Sequence, residues 1–494
     1  MAVKREQIRK TLRLFVPTWG KLVGILFVLK TLPFGVLYNP FIRFYTRIYI
    51  EYIEPFIESS DRIMIIAPHC DDEILAAGGI IQRSAAAGQT VKVVFVTSGD
   101  GFGLEYEGLS ETNRLPRGVN LGYLRQREAI KALEILGLAK ENIIFLGYPD
   151  KGLEKMWWLF HSHDQPYYSR NIKGYRSPYF TSYTPGAVFC GNKLLDDIMR
   201  LFTSFQPNTL YLPDSYDLHP DHRATYCFVR EALETLRGRG VKWVENLQVL
   251  LYLVHYGRFR WPPQWGYDPR SRLYPPRKLL GVRRWTNIEL TPEETVLKKK
   301  ALESYRSQKV LREFLLSFAK RTEIFAHDTT YRLPWNDSLT IFGSRRDFKL
   351  PMLVGGGDIQ KVKLEQREDR FSVALFVDSG IPLRVRYRIL LVGYREGEIV
   401  FRESYVIFNR RRAVKTMGDK HAAPPQVNSG PGYIRLDFQL NQHRAPKTVF
   451  FSAESFLRKN FMVDRFPWSL VVFEEELSSN PDRDGDRLFR REDA

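Results

Sequence analysis

Short apolar runs alternate with helical stretches from about residue 62 onward, and this alternation constrains the fold more than any other feature of the chain. Strands that are separated by helices pair in parallel, and the helices then cover the faces of the sheet. We therefore predict an α/β domain at residues 61–335, with a Rossmann-like parallel sheet and helices on both faces. The predicted strands are residues 63–67, 91–97, 142–146 and 210–212, and the predicted helices are residues 74–87, 122–136 and 291–307.

Polar residues directly follow each predicted strand. The first strand is followed by His69–Asp72 and the fourth by Asp214–His222. The segments Ser98–Gly101 and Tyr148–Asp150 follow the second and third strands. Because the carboxyl ends of parallel strands meet at one edge of a sheet, all four segments are expected to lie on the same rim.

Two of these segments carry the residue types of a hydrolytic zinc site. His69 and Asp72 are three residues apart where a strand gives way to a helix, so both side chains can point toward one spot beyond the strand. Asp71 lies between them and is free to handle a proton. The second segment contributes His219 and His222. One imidazole, two adjacent carboxylates and a second histidine cluster together predict Zn²⁺ as the cofactor.

Two other interpretations are weighed against this site. A different metal cluster could form from His161, His163 and Asp164, although these residues do not follow a predicted strand. Alternatively, the segment around His69 could be a capped helix start with a hydrogen-bonded histidine and no metal. The recurrence of His and Asp at the ends of two strands favours the zinc site.

The motif Pro-His-x-Asp-Asp-Glu at residues 68–73, together with His-Pro-Asp-His at residues 219–222, resembles the PIG-L/LmbE family of zinc-dependent N-deacetylases. The resemblance covers roughly residues 60–335. It implies a Rossmann-like fold and a zinc-dependent hydrolase that removes an N-acetyl group from an amino sugar, in a glycan, a glycoside or a lipid-linked conjugate. Further matching segments are Arg125–Glu128, Leu146–Asp150 and Tyr305–Gln308.

The resemblance also implies a ligand set and a base. His69, Asp72 and His222 would be the metal ligands, with one position left open. Asp71 would be the general base. The family usually has proline where this chain has Cys70, whose thiol could be an adventitious ligand, an oxidation site or simply a small buried group.

Four further residues receive roles from the resemblance. His219 would stabilise the oxyanion or protonate the departing amine, and Asp221 would orient the His219 ring. Arg125 would contact the substrate. Asp150 would bind the sugar, with a structural turn as the alternative.

The character of the chain changes after residue 335. Strand-like segments at residues 371–377, 383–392, 398–407 and 433–440 are separated by Gly, Asn and Pro. They predict an antiparallel, β-sandwich-like domain at residues 336–477. The charged segment at residues 478–494 is expected to be disordered. The residues of the β domain do not by themselves indicate its role.

The N-terminal segment, residues 1–60, is basic and apolar. Its first 50 residues hold nine Lys or Arg and one Glu, so they contribute +8 of the formal net charge of +18. This concentration argues against nucleic acid as the partner and favours an anionic membrane surface. Only eight residues separate Lys21 from Lys30, too few to span a bilayer, and no small-residue cleavage site for a signal peptide follows. The alternative is a helix that packs on the main domain.

The cysteine content bears on the compartment. The three residues, Cys70, Cys190 and Cys227, are odd in number and irregularly spaced. They suggest a reducing environment, so the expected location is cytoplasmic, with peripheral association at the inner face of the membrane.

Two long segments combine aromatic residues with little periodicity. Residues 151–190 carry nine Trp, Phe or Tyr side chains between Trp157 and Tyr183, which suit a lid or sugar-binding element. The alternative is a hydrophobic cluster that covers the sheet. Residues 257–285 mix Arg and aromatic side chains, which suits a membrane interface or a phosphate-bearing substrate, and a solvated loop is the alternative.

The sequence therefore favours a zinc-dependent N-deacetylase acting on an N-acetylglucosamine-type amino sugar. A glycan-binding or scaffold protein with a vestigial metal site is the main alternative. A metal-dependent phosphoesterase is a third, although two metal ions are common in that class and the sequence indicates one site.

Overall fold

A mixed eight-stranded sheet organises the described residues between 54 and 327. The computed structural model describes residues 54–56, 60–102, 115–257, 261–263, 265–343, 355–368, 370–382, 384–396, 398–408, 412–417, 425–439, 446–457 and 461–474. The predictions for residues 1–50 and 478–494 therefore fall outside the described residues. Within the described residues, no helix combines the length and apolarity needed to cross a bilayer.

Five adjacent strands of the sheet are parallel, as predicted. The strands are β1 (Glu54–Pro55), β2 (Arg62–Ala67), β3 (Thr90–Thr97), β4 (Ile143–Tyr148), β5 (Thr209–Pro213), β6 (Gln248–Tyr252), β7 (Trp285–Glu289) and β8 (Thr322–His327), in the spatial order β1-β7-β8-β6-β5-β2-β3-β4. From β2 the chain proceeds outward to β3 and β4, and then returns to β5 and β6 on the other side. This is the Rossmann-like order, whose ligand-binding crevice lies where the direction reverses, here between β2 and β5. The sequence did not predict that β8 is antiparallel to both of its neighbours.

Two groups of helices cover this sheet. The helices are α1 (Asp72–Ala86), α2 (Arg117–Ile135), α3 (Leu153–Trp158), α4 (Gly191–Phe205), α5 (Pro220–Gly238), α6 (Pro292–Leu302) and α7 (Arg312–Leu316). Helix α6 contacts α1 and α2, whereas α3, α4 and α5 contact one another. Because parallel crossovers are right-handed, connections that run in opposite directions along the sheet place their helices on opposite faces. The predicted α/β architecture is confirmed.

A buried ion pair between α6 and β8 contacts the middle of helix α1. The helical ladder is interrupted at Ala77, which has φ −137°, and the Gly79 N–H donates to Glu323 Oε1 at 2.6 Å. Lys298 Nζ lies 2.6 Å from the same oxygen and also donates to the Leu75 carbonyl. Removing one partner of a buried pair costs about 3–5 kcal/mol, so this pair fixes α1 against α6 and β8.

Helix α6 begins as the sequence predicted and ends earlier. The Thr291 hydroxyl accepts the Glu294 N–H at 3.2 Å, and the Glu294 carboxylate accepts the Thr291 N–H at 2.7 Å, which is a complete capping box. The helix ends at Leu302 rather than at residue 307, and a 3₁₀ segment, Arg306–Leu311, follows.

The C-terminal region forms two further sheets. A five-stranded sheet contains β10 (Ser338–Phe342), β11 (Ile359–Arg367), β12 (Arg370–Val377), β16 (Gln426–Gly430) and β17 (Tyr433–Gln439). A six-stranded sheet contains β9 (Thr330–Leu333), β13 (Arg386–Arg395), β14 (Glu398–Phe408), β15 (Arg412–Met417), β18 (Thr448–Leu457) and β19 (Phe461–Phe473). All pairings are antiparallel except that of β9 with β19, and this pairing adds residues before 336 to the sheet. The boundary at 335/336 stays a prediction.

The six-stranded sheet has two buried faces. Along β13, Leu390 and Val392 pack into the core of the α/β region, whereas Ile389 and Leu391 pack into the core shared with the five-stranded sheet. Successive side chains of a strand point to opposite faces, so this sheet is the middle layer between the α/β region and the outer sheet. The β region is thus packed directly against the part of the chain that carries the predicted site.

Candidate metal centre

The loop after β2 holds its residues in a strained conformation. Asp71 has φ 117°, a region that L-residues rarely adopt and that costs about 1–3 kcal/mol. Its carbonyl accepts the N–H groups of Ile74 and Leu75, which starts helix α1, and its own N–H donates to Glu73 at 2.9 Å. The Asp71 carboxylate makes no helix cap and instead lies 3.0 Å from the Arg125 guanidinium. At this backbone angle the Asp71 carboxylate is directed to Arg125 and does not cap helix α1.

The loop after β5 brings the second histidine pair to the same rim. His219 is the N-cap of helix α5, its Nδ1 accepts the Asp221 N–H, and Pro220 occupies the first helical position. His222 follows in the first turn and is fully buried. The two loops come together closely, because the His69 and His219 rings are 4.7 Å apart and the His69 and His222 rings are 5.3 Å apart.

Asp72 lies between two histidines. Its Oδ2 is 3.2 Å from His69 Nδ1 and 3.1 Å from His222 Nε2. His222 Nε2 nevertheless makes no well-aligned hydrogen bond to the described residues. Two ligand atoms at about 2.0–2.1 Å from a tetrahedral zinc ion lie about 3.3 Å apart. These spacings, with a buried imidazole nitrogen that lacks a hydrogen bond, fit the predicted ligand set His69, Asp72 and His222.

The other nitrogen of each of these imidazoles faces a carboxylate. His69 Nε2 is 3.4 Å from both Asp150 and Asp221, and His222 Nδ1 is 3.1 Å from Asp217 Oδ2. Metal-ligating histidines commonly direct the second ring nitrogen at a carboxylate, which fixes the orientation of the ring. Burial disfavours the protonated His222 ring, but Asp217 and Asp72 outweigh burial and raise its pKa to about 9. Both rings are thus held in an anionic surrounding that suits a cation.

Several combinations of ligands are close enough to share a metal ion. Among the described residues, three groups of side chains have potential ligand atoms within 4.8 Å of one another: His69 with His219 and His222, Asp72 with His222 and His255, and His69 with Asp150 and Asp221. The predicted trio of His69, Asp72 and His222 is not one of these groups, although each of its members belongs to at least one of them. The geometry therefore locates a metal centre at this rim, and the choice of its three ligands stays a prediction.

Sequence reasoning missed two residues of this centre. Asp217 is buried, and besides His222 it contacts the N–H groups of His219, Val254 and His255. The His255 ring lies 4.8 Å from His222 and 5.2 Å from His219. A signal for His255 existed, because the apolar run at residues 249–254 precedes it as other strands precede their polar loops.

Asp71 has the environment of a base. Burial raises its pKa to about 7, although the Arg125 charge opposes the shift. A second buried carboxylate, Glu73, accepts the Asp71 N–H and the hydroxyl of Tyr305. Burial raises the pKa of Glu73 to about 8. The Tyr305 segment, which the sequence singled out, therefore supports the loop that carries Asp71.

His219 is suited to donate a neutral hydrogen bond. Burial and the neighbouring His69 and His222 lower its pKa to about 2, so the ring is uncharged at neutral pH. Its Nδ1 accepts the Asp221 N–H, which places the ring proton on Nε2. The Asp221 carboxylate lies 3.4 Å from His69, whereas the Asp221 backbone N–H donates to the His219 ring. That Asp221 orients this ring stays a prediction.

The two residues predicted to contact substrate are engaged within the chain. Arg125 is 3% exposed and donates to the carbonyls of Cys70 and Gly99 as well as to Asp71. Asp150 accepts the Gly101 N–H at 3.0 Å and faces His69. Their substrate contacts stay predictions. The Cys70 thiol is buried, and burial raises its pKa well above the usual value, as expected of a small packing group.

The alternative metal cluster does not form among the described residues. His161 Nε2 is 3.9 Å from Glu231, whereas His163 Nδ1 is 3.5 Å from the Cys190 thiol. The aromatic segment around them divides into two parts. Trp157 and Tyr179 are buried, and the exposed residues are Tyr168, Tyr175, Phe180 and Tyr183.

Comparison with known proteins identifies the domain that carries this rim. Residues 64–233 match the family model described as PIG-L, GlcNAc-PI de-N-acetylase, so this part of the chain is a PIG-L-family domain. The match includes both loops of the centre, from His69 to His222. The resemblance noted from the sequence motifs is confirmed.

Individual relatives are more distant. A 1D-myo-inositol 2-acetamido-2-deoxy-alpha-D-glucopyranoside deacetylase from Corynebacterium diphtheriae is 26% identical over 191 residues, which are 37% of this chain and 55% of the relative. The protein of the same description from Corynebacterium jeikeium is 26% identical over 37% of this chain and 53% of its own length. The chain thus spans about half the length of these relatives. A structure of N,N'-diacetylchitobiose deacetylase from Pyrococcus horikoshii aligns with a TM-score of 0.34 and 20% identity, over 55% of this chain and 84% of that one.

Proposed function

We propose that this chain is a zinc-dependent N-deacetylase that acts on an N-acetylglucosamine-type amino-sugar conjugate. One observation carries the proposal: Asp72 lies within 3.2 Å of both His69 and His222, and the adjacent Asp71 carboxylate is held 3.0 Å from Arg125. The PIG-L-family domain covers these residues, and the relatives from Corynebacterium are described as deacetylases of an N-acetylated amino-sugar glycoside.

The ligand roles fall to His69, Asp72 and His222. Zinc, when bound there, would polarise the amide carbonyl and acidify a water molecule. Asp150, Asp221 and Asp217 hold the two imidazoles from outside, as their distances of 3.1–3.4 Å permit.

The remaining residues transfer a proton or stabilise the charge that develops on the amide oxygen. Asp71 accepts a proton from the attacking water, and a pKa near neutrality suits a base that must be both ionised and basic at working pH. The positive charge of Arg125 favours the ionised form of Asp71. His219 donates its Nε2–H to the oxyanion that develops on the amide oxygen. Proton delivery to the departing amine falls to the Asp71 carboxyl, which has just gained a proton.

The sugar is expected to lie beside the aromatic segment of residues 151–190. Part of this segment lies close to Asp150, because Asn171 and Asp150 both border Gly101. A Cβ atom added at Gly101 would be 2.8 Å from the Asn171 side chain and 2.9 Å from that of Asp150. A side chain at Gly152 would likewise lie 2.8 Å from the Tyr167 ring. The exposed Tyr168 and Tyr175 rings, 4.9 Å apart, offer flat faces for a sugar.

The test is release of free amine from N-acetylglucosaminyl conjugates of inositol, chitobiose and a nucleotide or lipid carrier. The expected result is one amine and one acetate per turnover, loss of activity after zinc is removed by a chelator, and recovery when zinc is returned. The chelated protein is its own matched control. A zinc-loaded protein that releases amine from none of these amides would contradict the deacetylase and favour the binding-protein alternative.

We also propose that residues 1–50 bring the enzyme to an anionic membrane surface on its cytoplasmic side. Their +8 charge and apolar residues support this proposal. Deleting residues 1–50 should release the protein from vesicles that contain phosphatidylserine at physiological salt. Equal binding of both forms would contradict it.

A further inference from the structure

The short helix α3 holds one of the carboxylates of the metal centre. The Lys151 N–H donates to Asp221 Oδ2 at 2.6 Å, and the Leu153 N–H donates to Asp221 Oδ1 at 3.2 Å. The same carboxylate lies 3.4 Å from His69 Nε2. The start of α3 therefore sets where Asp221 lies against a proposed metal ligand.

The other end of α3 is bound by a side chain of the β region. Arg402, on β14, donates to the Trp157 carbonyl at 2.9 Å, and its guanidinium lies 4.3 Å from the Trp157 ring centre. Arg402 also donates to both carboxylate oxygens of Glu231, at 3.2 and 3.1 Å. Glu231 belongs to α5, the helix whose first residues include Asp221 and His222, and its side chain is fully buried.

A second contact ties α3 to the loop after β5. Glu154 lies 2.9 Å from Arg223, and Arg223 donates to the carbonyl of Leu218 at 2.7 Å. On the β side, Arg465 approaches Glu154 at 3.7 Å. Helix α3 is thus connected to the loop after β5 and, at two points, to the β region.

We propose that the C-terminal β region positions the metal centre, and that Arg402 is the positioning residue through which it acts. Arg402 cross-links the end of α3 to the middle of α5. The turn that begins α3 supplies the Lys151 and Leu153 N–H groups that hold Asp221, and α5 supplies Asp221 and His222 themselves. The β region is accordingly part of the site's framework rather than an independent binding module.

Apolar packing alone does not supply this alignment. Trp157 is surrounded by the rings of Phe228, Phe450 and Trp468, with centroids 5.1–6.3 Å away, and such contacts hold the helix against the sheet. They permit small rotations and shifts, because contacts between ring surfaces are less directional than hydrogen bonds. A buried guanidinium that donates to a fixed carbonyl and to two carboxylate oxygens permits one arrangement.

This inference rests on the proposed function, and its test has a readout that does not depend on turnover. Arg402→Met keeps an unbranched apolar stem and removes the guanidinium with its donors. Zinc affinity is measured by competition with a chromogenic chelator, kcat and KM by amine release, and stability by thermal unfolding. Arg402→Met is expected to bind zinc about 10-fold more weakly, with a lower kcat and an unchanged KM.

The matched control is Arg388→Met. Arg388 also lies in the six-stranded sheet, pairs with a carboxylate (Glu454, 3.0 Å) and lies over an aromatic ring (Phe456, 5.1 Å), but both partners are within the β region. It should leave zinc affinity and kcat as in the wild type. If Arg402→Met fails to fold, Arg402→Lys keeps the charge but only one donor nitrogen, and should lose part of the zinc affinity.

Each outcome decides the proposal. Wild-type zinc affinity in Arg402→Met, or in Arg402→Lys if only that variant folds, would overturn it, as would equal losses in Arg388→Met. A wild type that binds zinc but releases no amine would refute the proposed deacetylase activity, while the zinc affinities of the variants would still decide the role of Arg402. A wild type that binds no zinc would overturn both.

Discussion

The loops after β2 and β5 each contribute a histidine beside Asp72. Their backbones differ, because the first loop is strained and the second is relaxed. In the first loop, Asp71 has φ 117° and caps nothing with its side chain. In the second loop, His219 has an ordinary extended conformation, its ring accepts a backbone N–H, and Pro220 begins the helix. The fixed φ of proline is already that of a helix, so the second loop is relaxed where the first is strained.

The difference indicates which loop performs chemistry and which one supports it. Strain persists only where the surroundings over-determine a conformation, and it concentrates at functional positions. Glu73 and Arg125 hold Asp71 in place from two sides. Asp217, by contrast, gathers three backbone N–H groups and the His222 ring, which is a supporting arrangement.

The largest effect is expected in the strained loop. Asp71→Ala removes the proposed base and should lower kcat by about 10³-fold, because general bases contribute roughly 10²–10⁴-fold. Zinc content should not change, since Asp71 is not a proposed ligand. Amine release and elemental analysis measure both quantities, and Asp61→Ala, an exposed carboxylate before β2, is the control. Full activity in Asp71→Ala would show that the general base does not lie in the strained loop after β2.

A smaller loss is expected from the second loop. His219→Ala removes the proposed oxyanion donor and should lower kcat by about 10²-fold with zinc retained. His219→Gln keeps an N–H donor and should recover part of that loss. If the Gln variant is no better than the Ala variant, the neutral hydrogen-bond role is wrong and proton transfer by the ring becomes the better account.

The supporting role of Asp217 predicts a change in metal affinity. Asp217→Asn removes the negative charge beside His222 and leaves one carbonyl oxygen as an acceptor for part of the backbone N–H groups, so zinc should bind about 10-fold more weakly. Chelator competition measures the affinity. Asp196→Asn, a partly exposed carboxylate on α4, is the matched control. Unchanged affinity in Asp217→Asn would make Asp217 a purely structural residue.

The smallest effect is expected at the relaxed helix start. Pro220→Ala should lower the free energy of unfolding by about 0.5 kcal/mol, mainly because the unfolded chain gains conformational freedom. Denaturant unfolding measures this difference. A loss of several kcal/mol would mean that the second loop is also strained.

The sheet could be predicted well because its central strands are buried on both faces. Predicted strands at residues 63–67 and 91–97 correspond to Arg62–Ala67 and Thr90–Thr97, since continuous apolar runs leave little freedom of assignment. Helix α2 begins at Arg117 rather than at residue 122, because no capping side chain marks its start. Strand β8 was missed because its antiparallel insertion between β6 and β7 leaves no local signal in the sequence.

The centre could be predicted as a set of residues but not as a set of contacts. Motif spacing predicted that His69, Asp72 and His222 meet at one rim, and Asp72 lies within 3.2 Å of both histidines. It could not show that Asp221 faces His69 rather than His219, or that Arg125 is buried against Asp71, because both depend on side-chain directions set by tertiary packing. The role of Arg402 was beyond reach for the same reason, since its partners are 171 and 245 residues away in sequence.

The most direct test of the account is the zinc content of three purified proteins by elemental analysis: the wild type, His222→Ala and His163→Ala. His163 is an exposed histidine of the alternative cluster and serves as the matched control. We predict about one zinc ion per chain in the wild type and in His163→Ala, and none in His222→Ala. Full zinc content in His222→Ala, or its absence from the wild type, would contradict a metal centre between the loops after β2 and β5.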